Sequence, residues 1–215
     1  MITKFQLQKD ATVLAEDGKK IGSLERVVIN PTDHVITDIV VRTGGLLNHE
    51  EKIVSVDLIG ETAEDKILLK EEAGVLEDCP PFEEKQLISE RGTHVAPDNM
   101  PADLGGMPAV GTPAVPESDE HIVTRMERNI PEGMVAMRMD AKVTSADGKQ
   151  IGHVERLFAD PTMNQITHFG VPQGMLKAEN KFIPITWVTR IGEQALHLKV
   201  EKSEIDELVE EPSAG

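Results

Sequence analysis

The chain of 215 residues contains one long segment twice. Residues 13–41 and 143–171 align without a gap at an offset of 130, and 13 of the 29 positions are identical. A period this long, with only two copies, is not a solenoid and predicts two homologous domains. We place the first domain at residues 1–76 and the second at residues 131–215.

Each copy has the residue pattern of β-strands. After one deleted residue the match between the copies continues, so that residues 52–56 align with residues 181–185. Within the first of these runs, Val54 and Val56 alternate with Ser55, which is the two-residue period of a strand with one buried face. Short strands separated by frequent turn signals predict a small all-β barrel or sandwich.

The turn signals recur at matching places in both copies. An Asp-Gly pair between apolar runs favours a tight hairpin, because glycine accepts a positive φ. A proline at the second position of a four-residue turn fixes the φ which that turn needs. Glycines a few residues further on indicate a further turn or a β-bulge. The predicted structural turn residues are Asp17, Gly18, Gly22, Pro31, Asp147, Gly148, Gly152 and Pro161.

The segment between the two copies has a different composition. Residues 77–130 are acidic and rich in proline and glycine, which predicts a linker that is partly disordered. Its centre, residues 97–118, has no apolar periodicity and should lack regular secondary structure. At the other end of the second copy, Ser203 and Asp206 give an N-cap signal, so a short C-terminal helix is expected there.

Charge and cysteine content exclude several functions. The 22 basic and 38 acidic residues give a net charge of −16, which disfavours nucleic acid and anionic membrane surfaces as partners. The single cysteine, Cys79, excludes an internal disulfide and a multi-cysteine zinc site. We see no targeting sequence and no apolar run long enough to span a membrane, so we expect a cytoplasmic protein without direct membrane insertion.

Few residues have a pattern that is typical of a catalytic or ligand-binding site. Glu25-Arg26 recurs as Glu155-Arg156, but neighbours on a strand point to opposite faces, so we interpret these residues as partners of adjacent strands. The glycines do not have the spacing of a phosphate-binding loop. We therefore predict no catalytic residues, no cofactor-binding residues and no enzyme activity.

The seven histidines lack the spacing of a metal site. His153 and His168 are weak candidate ligands, because they lie in adjacent predicted strands, although Ser23 and Asp38 replace them in the first copy. Trp187 shares its parity with apolar neighbours and is predicted to lie in the core. We expect no cofactor.

The repeated pattern resembles the PRC-barrel family. It reads V-x-x-x-D-G-K-x-I-G-x-h-E-R-h, where h is apolar, followed by Asn/Asp-Pro, Ile-Thr and a strand that ends in Val54-Ser55-Val56 or Ile183-Pro184-Ile185. The resemblance covers residues 5–75 and 132–210. It implies two small all-β barrels, each of about five or six strands.

The resemblance also implies a function. Members of this family include the cytoplasmic domain of the photosynthetic reaction-centre H subunit and the C-terminal domain of a ribosome maturation factor, which act in protein interactions. Our leading hypothesis is therefore a non-enzymatic adaptor or scaffold that binds an unidentified protein partner. The alternative is a sensor that binds a small molecule or metal in a pocket at a barrel mouth or between the barrels. The sequence leaves open whether the chain forms a homo-oligomer.

Overall fold

The computed structural model of the protein is mostly β. It describes residues 5–44, 49–63, 65–72, 74–91, 120–173 and 179–208. The chain divides into two compact units. The first unit contains Met1–Glu83 and Arg128–Gly215, and the second contains Glu84–Glu127. The predicted all-β class is confirmed.

The strands of the two copies, which we call repeat 1 and repeat 2, follow each other in the same order. Repeat 1 contains β1 Phe5–Gln8, β2 Thr12–Leu14, β3 Lys20–Ile29, β4 Ile36–Gly44, β5 His49–Ser55, β6 Ile59–Ala63, β7 Lys66–Leu69 and helix α1 Val75–Asp78. Strands β8 Glu83–Arg91 and β9 Glu120–Arg128 pair in a two-stranded sheet. Repeat 2 contains β10 Val135–Arg138, β11 Lys142–Thr144, β12 Gln150–His153, β13 Arg156–Ala159, β14 Ile166–Gln173, β15 Glu179–Pro184, β16 Val188–Ile191, β17 Ala195–Leu198 and helix α2 Lys202–Asp206.

Two of the three sheets of the first unit combine strands from both repeats. One sheet has the order β1-β13-β14-β15, and a second has the order β12-β11-β17-β16. The third has the order β5-β4-β3-β2-β7-β6, with β10 paired to β3. In repeat 1 the long strand β3 belongs to a single sheet, whereas in repeat 2 its counterpart is divided into β12 and β13. Repeat 2 is therefore split between two sheets.

Each repeat gives its first strand to the other repeat. Strand β1 pairs antiparallel with β13, where Phe5 lies opposite Ala159. Strand β10 pairs antiparallel with β3, where Val135 lies opposite Ile29. The two pairings have the same register, because each residue is shifted by 130 from its counterpart. The repeats are thus related by an approximate twofold axis through which they exchange a strand.

A second contact lies on the same axis. Val35 forms an isolated bridge with Gln165, its own equivalent in repeat 2. The flanking hydrogen bonds are reciprocal: the Ile36 N–H donates to the Asn164 carbonyl at 2.9 Å, and the Ile166 N–H donates to the His34 carbonyl at 2.9 Å. The loop before β4 and the loop before β14 therefore bond to each other and connect the two repeats.

The two repeats share one hydrophobic core. Leu7, Met137, Val27 and Leu157 are all 0% exposed and belong to a single buried cluster that contains residues of both repeats. The separate cores expected for two tethered modules are therefore not present in the described residues. An alternating pattern predicts a strand without showing which copy supplies its partner, and this is why the sequence did not reveal the exchange. The domain bounds at 76 and 131 stay predictions.

Part of the predicted linker has regular structure. Strands β8 and β9 both fall within residues 77–130, and Phe82 is fully buried. Residues 97–118 lie outside the described residues.

The repeated glycines have two different roles. Gly18 and Gly148 have φ of +78° and +77°, in the left-handed region that a tight Asp-Gly turn requires. Gly22 and Gly152 lie inside β3 and β12, where the register shifts opposite Val13 and Val143, so the β-bulge alternative fits and the turn alternative does not. A Cβ on Gly22 would lie 2.5 Å from the Arg42 carbonyl oxygen, so only glycine allows β3 and β4 to approach this closely.

Gly22→Ala should lower the free energy of unfolding by about 1–3 kcal/mol, because the added methyl group meets backbone that cannot move freely. Gly74→Ala is the matched control, since a Cβ there would meet nothing within 4 Å. Denaturant unfolding followed by Trp187 fluorescence measures both variants. Equal midpoints for the two variants would contradict the close approach.

Leu7→Ala tests the strand exchange. Because Leu7 is fully buried and lies opposite Leu157, its truncation should cost about 2–5 kcal/mol. Trp187 is the only tryptophan and lies in repeat 2, yet its unfolding transition should shift with this change in repeat 1. A Trp187 transition at the wild-type midpoint would mean that the repeats fold independently.

Candidate functional site

The sheet of repeat 1 has a second apolar face, on the side opposite the shared core. Val28 and Val40 point away from the core because they alternate with core residues along β3 and β4. Together with Ile53, Phe82 and Ala136 they form a separate buried cluster, against which Ile130 and Met134 pack. We call this surface outer face 1. It is covered by the segments that lead into β8 and out of β9.

The segment that covers outer face 1 pairs with the edge of β5. The Ile53 N–H donates to the Pro80 carbonyl at 2.9 Å, and the Phe82 N–H donates to the Glu51 carbonyl at 2.8 Å. Between these bonds, Pro81 forms an isolated antiparallel bridge with Lys52. Residues 80–82 thus extend the sheet by a short strand-like segment.

Phe82 completes a charged cluster on outer face 1. Arg26 forms an ion pair with Glu51 at 3.3 Å, and its guanidinium lies 4.9 Å from the centre of the Phe82 ring. Arg128 lies 5.7 Å from the same ring. A cation over an aromatic face is stabilised by the ring's quadrupole, so the aromatic side chain holds both arginines in place.

Outer face 2 is the equivalent surface of repeat 2. By register, Gln6, Phe158, Gly170 and Phe182 take the places of Ala136, Val28, Val40 and Ile53. The rings of Phe158 and Phe182 pack at 5.3 Å between centroids with a 54° tilt. A Cβ on Gly170 would lie 3.0 Å from the Arg156 Cβ, so glycine favours the close approach of β14 to β13 at this point. In the described part of the chain, no residue covers outer face 2 as Phe82 covers outer face 1.

Outer face 2 also carries polar atoms that lack partners. The side-chain atoms Gln6 Nε2, Gln8 Oε1, Arg156 Nε and Asn180 Oδ1 are buried and have no hydrogen-bond partner. All four belong to this face, because Gln6 and Gln8 alternate with Leu7 while Arg156 and Asn180 alternate with core residues of β13 and β15. A buried polar group without a partner costs about 1–3 kcal/mol. These four atoms distinguish outer face 2 from outer face 1.

In repeat 1, both residues of the Glu-Arg pair form ion pairs with residues of other strands. A bulge lies between Leu24 and Arg26 in the pairing of β3 with β4. Glu25 forms an ion pair with Arg138 of the exchanged strand at 3.3 Å, while Arg26 pairs with Glu51 of β5. Glu25 thus has its partner on the adjacent strand β10, whereas Arg26 reaches across β4 to Glu51, so the prediction of adjacent partners holds for Glu25 and is wrong for Arg26. In repeat 2, Arg156 has Asn180 at the position equivalent to Glu51.

The two candidate metal ligands do not form a site with other ligands. His153 and His168 are both exposed and lie on strands of different sheets, β12 and β14. Among the residues that the structure describes, no three His, Cys, Asp or Glu side chains lie where they could hold a metal ion. Trp187 is half-buried and packs against the shared core. Burial raises the pKa of the Cys79 thiol, and Asp78 raises it further while Lys52 lowers it.

The junction of the repeats contains two small cavities. One of about 180 Å³ is lined by Lys9, Glu25, Arg42, Arg138 and Asp140, and these charged groups largely pair with one another. The other has about 320 Å³ and is lined mainly by residues of β1, β6 and the turn before β14. Ligand pockets usually have about 300–1,000 Å³, so the first is too small for a sizeable ligand and the second is at the lower limit.

The sequence analysis missed the residues of outer face 2. Phe158 follows Leu157 directly, so repeat 2 is apolar at both parities at this point, as repeat 1 is at Val27 and Val28. Apolar residues at both parities indicate a strand that is covered on two sides. That signal was present, but it does not show which segment provides the second cover.

The first repeat matches a known family. Residues 9–76 match the family model of the PRC-barrel domain, so this part of the chain carries such a domain. The relation of repeat 2 to this domain rests on its 13 identities with repeat 1. No curated protein matches the chain. In the described residues, no helix is long and apolar enough to cross a membrane.

Asp140→Asn tests the ion pair at the junction. The hydrogen bond from Arg138 is the main cause that lowers the pKa of Asp140 below its ordinary value of 3.8. A carboxylate with a lowered folded-state pKa stabilises the fold above its unfolded pKa, and this is lost as the pH falls through the folded value. Wild type should thus exceed Asp140→Asn in stability by less than about 1 kcal/mol at neutral pH, because the side chain is partly exposed. The difference should vanish in strong acid.

Arg138→Gln is the partner variant for this measurement. It should remove the same pH dependence of the free energy of unfolding, because the carboxylate then lacks its donor. A wild-type pH profile in both variants would show that the ion pair contributes nothing to stability.

Proposed function

We propose that the protein is a non-enzymatic interaction protein that binds an extended segment of a partner protein at the edge of β15 and over outer face 2. One observation carries this proposal. Two equivalent sheet faces are built in the same way, and one is covered by a strand-like segment while the other has four buried polar atoms without partners.

The cover of outer face 1 indicates how a partner would bind. In repeat 1 the Ile53 N–H and the Glu51 carbonyl point outward from β5 and bond to residues 80–82. The equivalent groups on β15 are the Phe182 N–H and the Asn180 carbonyl, since Phe182 lies opposite Gly170 as Ile53 lies opposite Val40. A peptide strand added to this edge gains backbone hydrogen bonds, which is a common mode of peptide recognition.

The side chains of outer face 2 would select the partner. Phe158 and Phe182 offer an aromatic surface beside the Arg156 guanidinium, and aromatic and arginine side chains contribute strongly to binding interfaces. An acidic side chain in the bound segment would pair with Arg156. Gln6 Nε2 would donate a hydrogen bond, and Asn180 Oδ1 would accept one. The shared core of the repeats gives this surface a rigid support.

Capture from the native host followed by mass spectrometry tests the proposal with a matched pair of variants. Arg156→Gln should reduce the recovery of a partner by about 10-fold or more, the effect expected for an interfacial ion pair. Arg26→Gln is the control at the equivalent position, where Phe82 already covers the arginine. The same partner should be recovered with Arg26→Gln as with wild type.

Two results would overturn the proposal. One is full recovery of every partner with both Arg156→Gln and a second variant, Phe182→Glu, which places a charge at the centre of the surface. The other is equal loss with Arg156→Gln and Arg26→Gln, since that would indicate a general effect on the fold. Unfolding followed by Trp187 fluorescence establishes that each variant is folded.

A further inference from the structure

We propose that the junction between the repeats is also an interface between chains, so that repeat 1 of one copy of this protein pairs with repeat 2 of a second copy. The partner is a second copy of the same chain, and strands β1 and β10 select unlike repeats. The inference rests on how the junction is built and on the residues in which the two exchanged strands differ. It does not depend on the proposed function.

Each repeat holds its first strand by one edge and presents the other edge to its neighbour. In repeat 1 the Gln6 N–H donates to Thr62 Oγ1 at 3.1 Å. In repeat 2 the Arg138 N–H donates to the Glu193 carbonyl at 2.8 Å. The other edges of β1 and β10 pair with β13 and β3 of the opposite repeat. The junction thus lies between two repeats that each include their own first strand.

The backbone contacts across the junction are reciprocal. The Lys9 N–H donates to the Glu155 carbonyl at 2.8 Å, and the Met139 N–H donates to the Glu25 carbonyl at 3.2 Å. A repeat 2 from a second copy offers the same atoms in the same register. Two chains that exchange repeats therefore close into a dimer in which both junctions are formed, and such domain swapping is a low-cost route to a dimer.

The first difference between the exchanged strands concerns an apolar surface. Ala136 of β10 is 0% exposed and lies opposite Val28 in the buried cluster of outer face 1. The equivalent residue of β1 is Gln6. If two copies of repeat 1 paired in the same register, Gln6 would enter this cluster, where an amide without a hydrogen-bond partner is destabilising. Outer face 1 therefore favours β10 over β1.

The second difference concerns charge. Arg138 of β10 lies opposite Arg26. Glu25 pairs with the first of these cations and Glu51 with the second, each at 3.3 Å. The residue of β1 equivalent to Arg138 is the neutral Gln8. A pairing of two copies of repeat 1 would therefore remove the cation with which Glu25 pairs.

Two copies of repeat 2 would have the opposite imbalance. Arg138 would lie opposite Arg156, where Gln8 now lies. Asn180 has the position of Glu51 there, so the facing repeat offers one acid instead of two. Like charges that face each other across a strand pair are destabilising. Among the three possible pairings, the unlike one alone matches both the apolar surface and the charges.

Disulfide trapping with full-length chains tests the inference. Cys79→Ser removes the native thiol from every chain. Gln8→Cys in one chain and Arg156→Cys in another place two thiols opposite each other when β1 of the first copy pairs with β13 of the second. Directly opposite residues of antiparallel strands have the Cα separation that a disulfide requires. The chains are unfolded, mixed, refolded together at high concentration and oxidised. A cross-linked dimer is expected on a non-reducing gel.

The matched control combines Gln8→Cys in one chain with Arg26→Cys in the other, again with Cys79→Ser. These two positions lie opposite each other when like repeats pair, because Arg26 is the equivalent of Arg156. The control should give about 10-fold less cross-linked dimer or lower still, because each like junction has an amide in the apolar cluster or an unbalanced charge.

Native mass spectrometry of the wild-type chain gives a second measurement that needs no substitution. Chains with and without a nitrogen-isotope label are unfolded, mixed and refolded together at high concentration. A dimer with a mass midway between those of the fully labelled and the unlabelled dimer is expected. Unfolding followed by Trp187 fluorescence establishes that the cysteine variants are folded before they are oxidised.

Three results would overturn the inference. One is a refolded wild-type sample that contains only monomer. A second is a mixed dimer in which Gln8→Cys and Arg156→Cys give no cross-link, because the copies would then meet at another surface. A third is equal cross-linking with Arg156→Cys and with Arg26→Cys, because the strands would then not distinguish the repeats. These measurements use purified protein without a partner, so the proposed function can fail separately.

Discussion

The exchange of the first strands is the constraint on which the rest of the structure depends. Without β1, strand β13 would have an open edge, and without β10, half of β3 would have one. Each exchanged strand also brings a fully buried side chain, Leu7 or Met137, into the shared core. The residues that pair with the neighbouring copy therefore complete a core that neither copy has alone. The repeats form one cooperative unit because strand pairing and apolar burial both extend across the axis.

This symmetric frame carries two different surfaces. The registers of β4 with β5 and of β14 with β15 are the same, so equivalent side chains have the same position relative to the sheet. The core positions stay apolar in both copies, as at Ile39 and its equivalent Phe169. The outer faces have changed more: Val28 corresponds to Phe158, and Val40 to Gly170. The frame thus carries one face that Phe82 covers and a second face with different side chains at the equivalent positions.

The sequence allowed much of the local structure to be predicted, but little of the pairing. Residue alternation predicted the strands, and the Asp-Gly pairs indicated turns at Gly18 and Gly148, which both have a positive φ. Gly22 was assigned to a turn or a β-bulge, and its close approach to Arg42 was not predicted because that contact depends on another strand. The exchange of β1 and β10 was not predictable for a similar reason. Both strands have the same alternating pattern, so the sequence does not show which of them pairs with β3 and which with β13.

The buried polar atoms of outer face 2 that lack partners define the hydrogen bonds that a bound segment could form there. A cover that satisfies Arg156, Gln6 and Asn180 gains the same hydrogen bonds whether it belongs to this chain or to another protein. On outer face 1, Phe82 is fully buried, and Ile130 and Met134 pack against the same cluster. The two faces therefore differ in how they are completed: apolar burial completes outer face 1, whereas outer face 2 keeps buried polar atoms without partners.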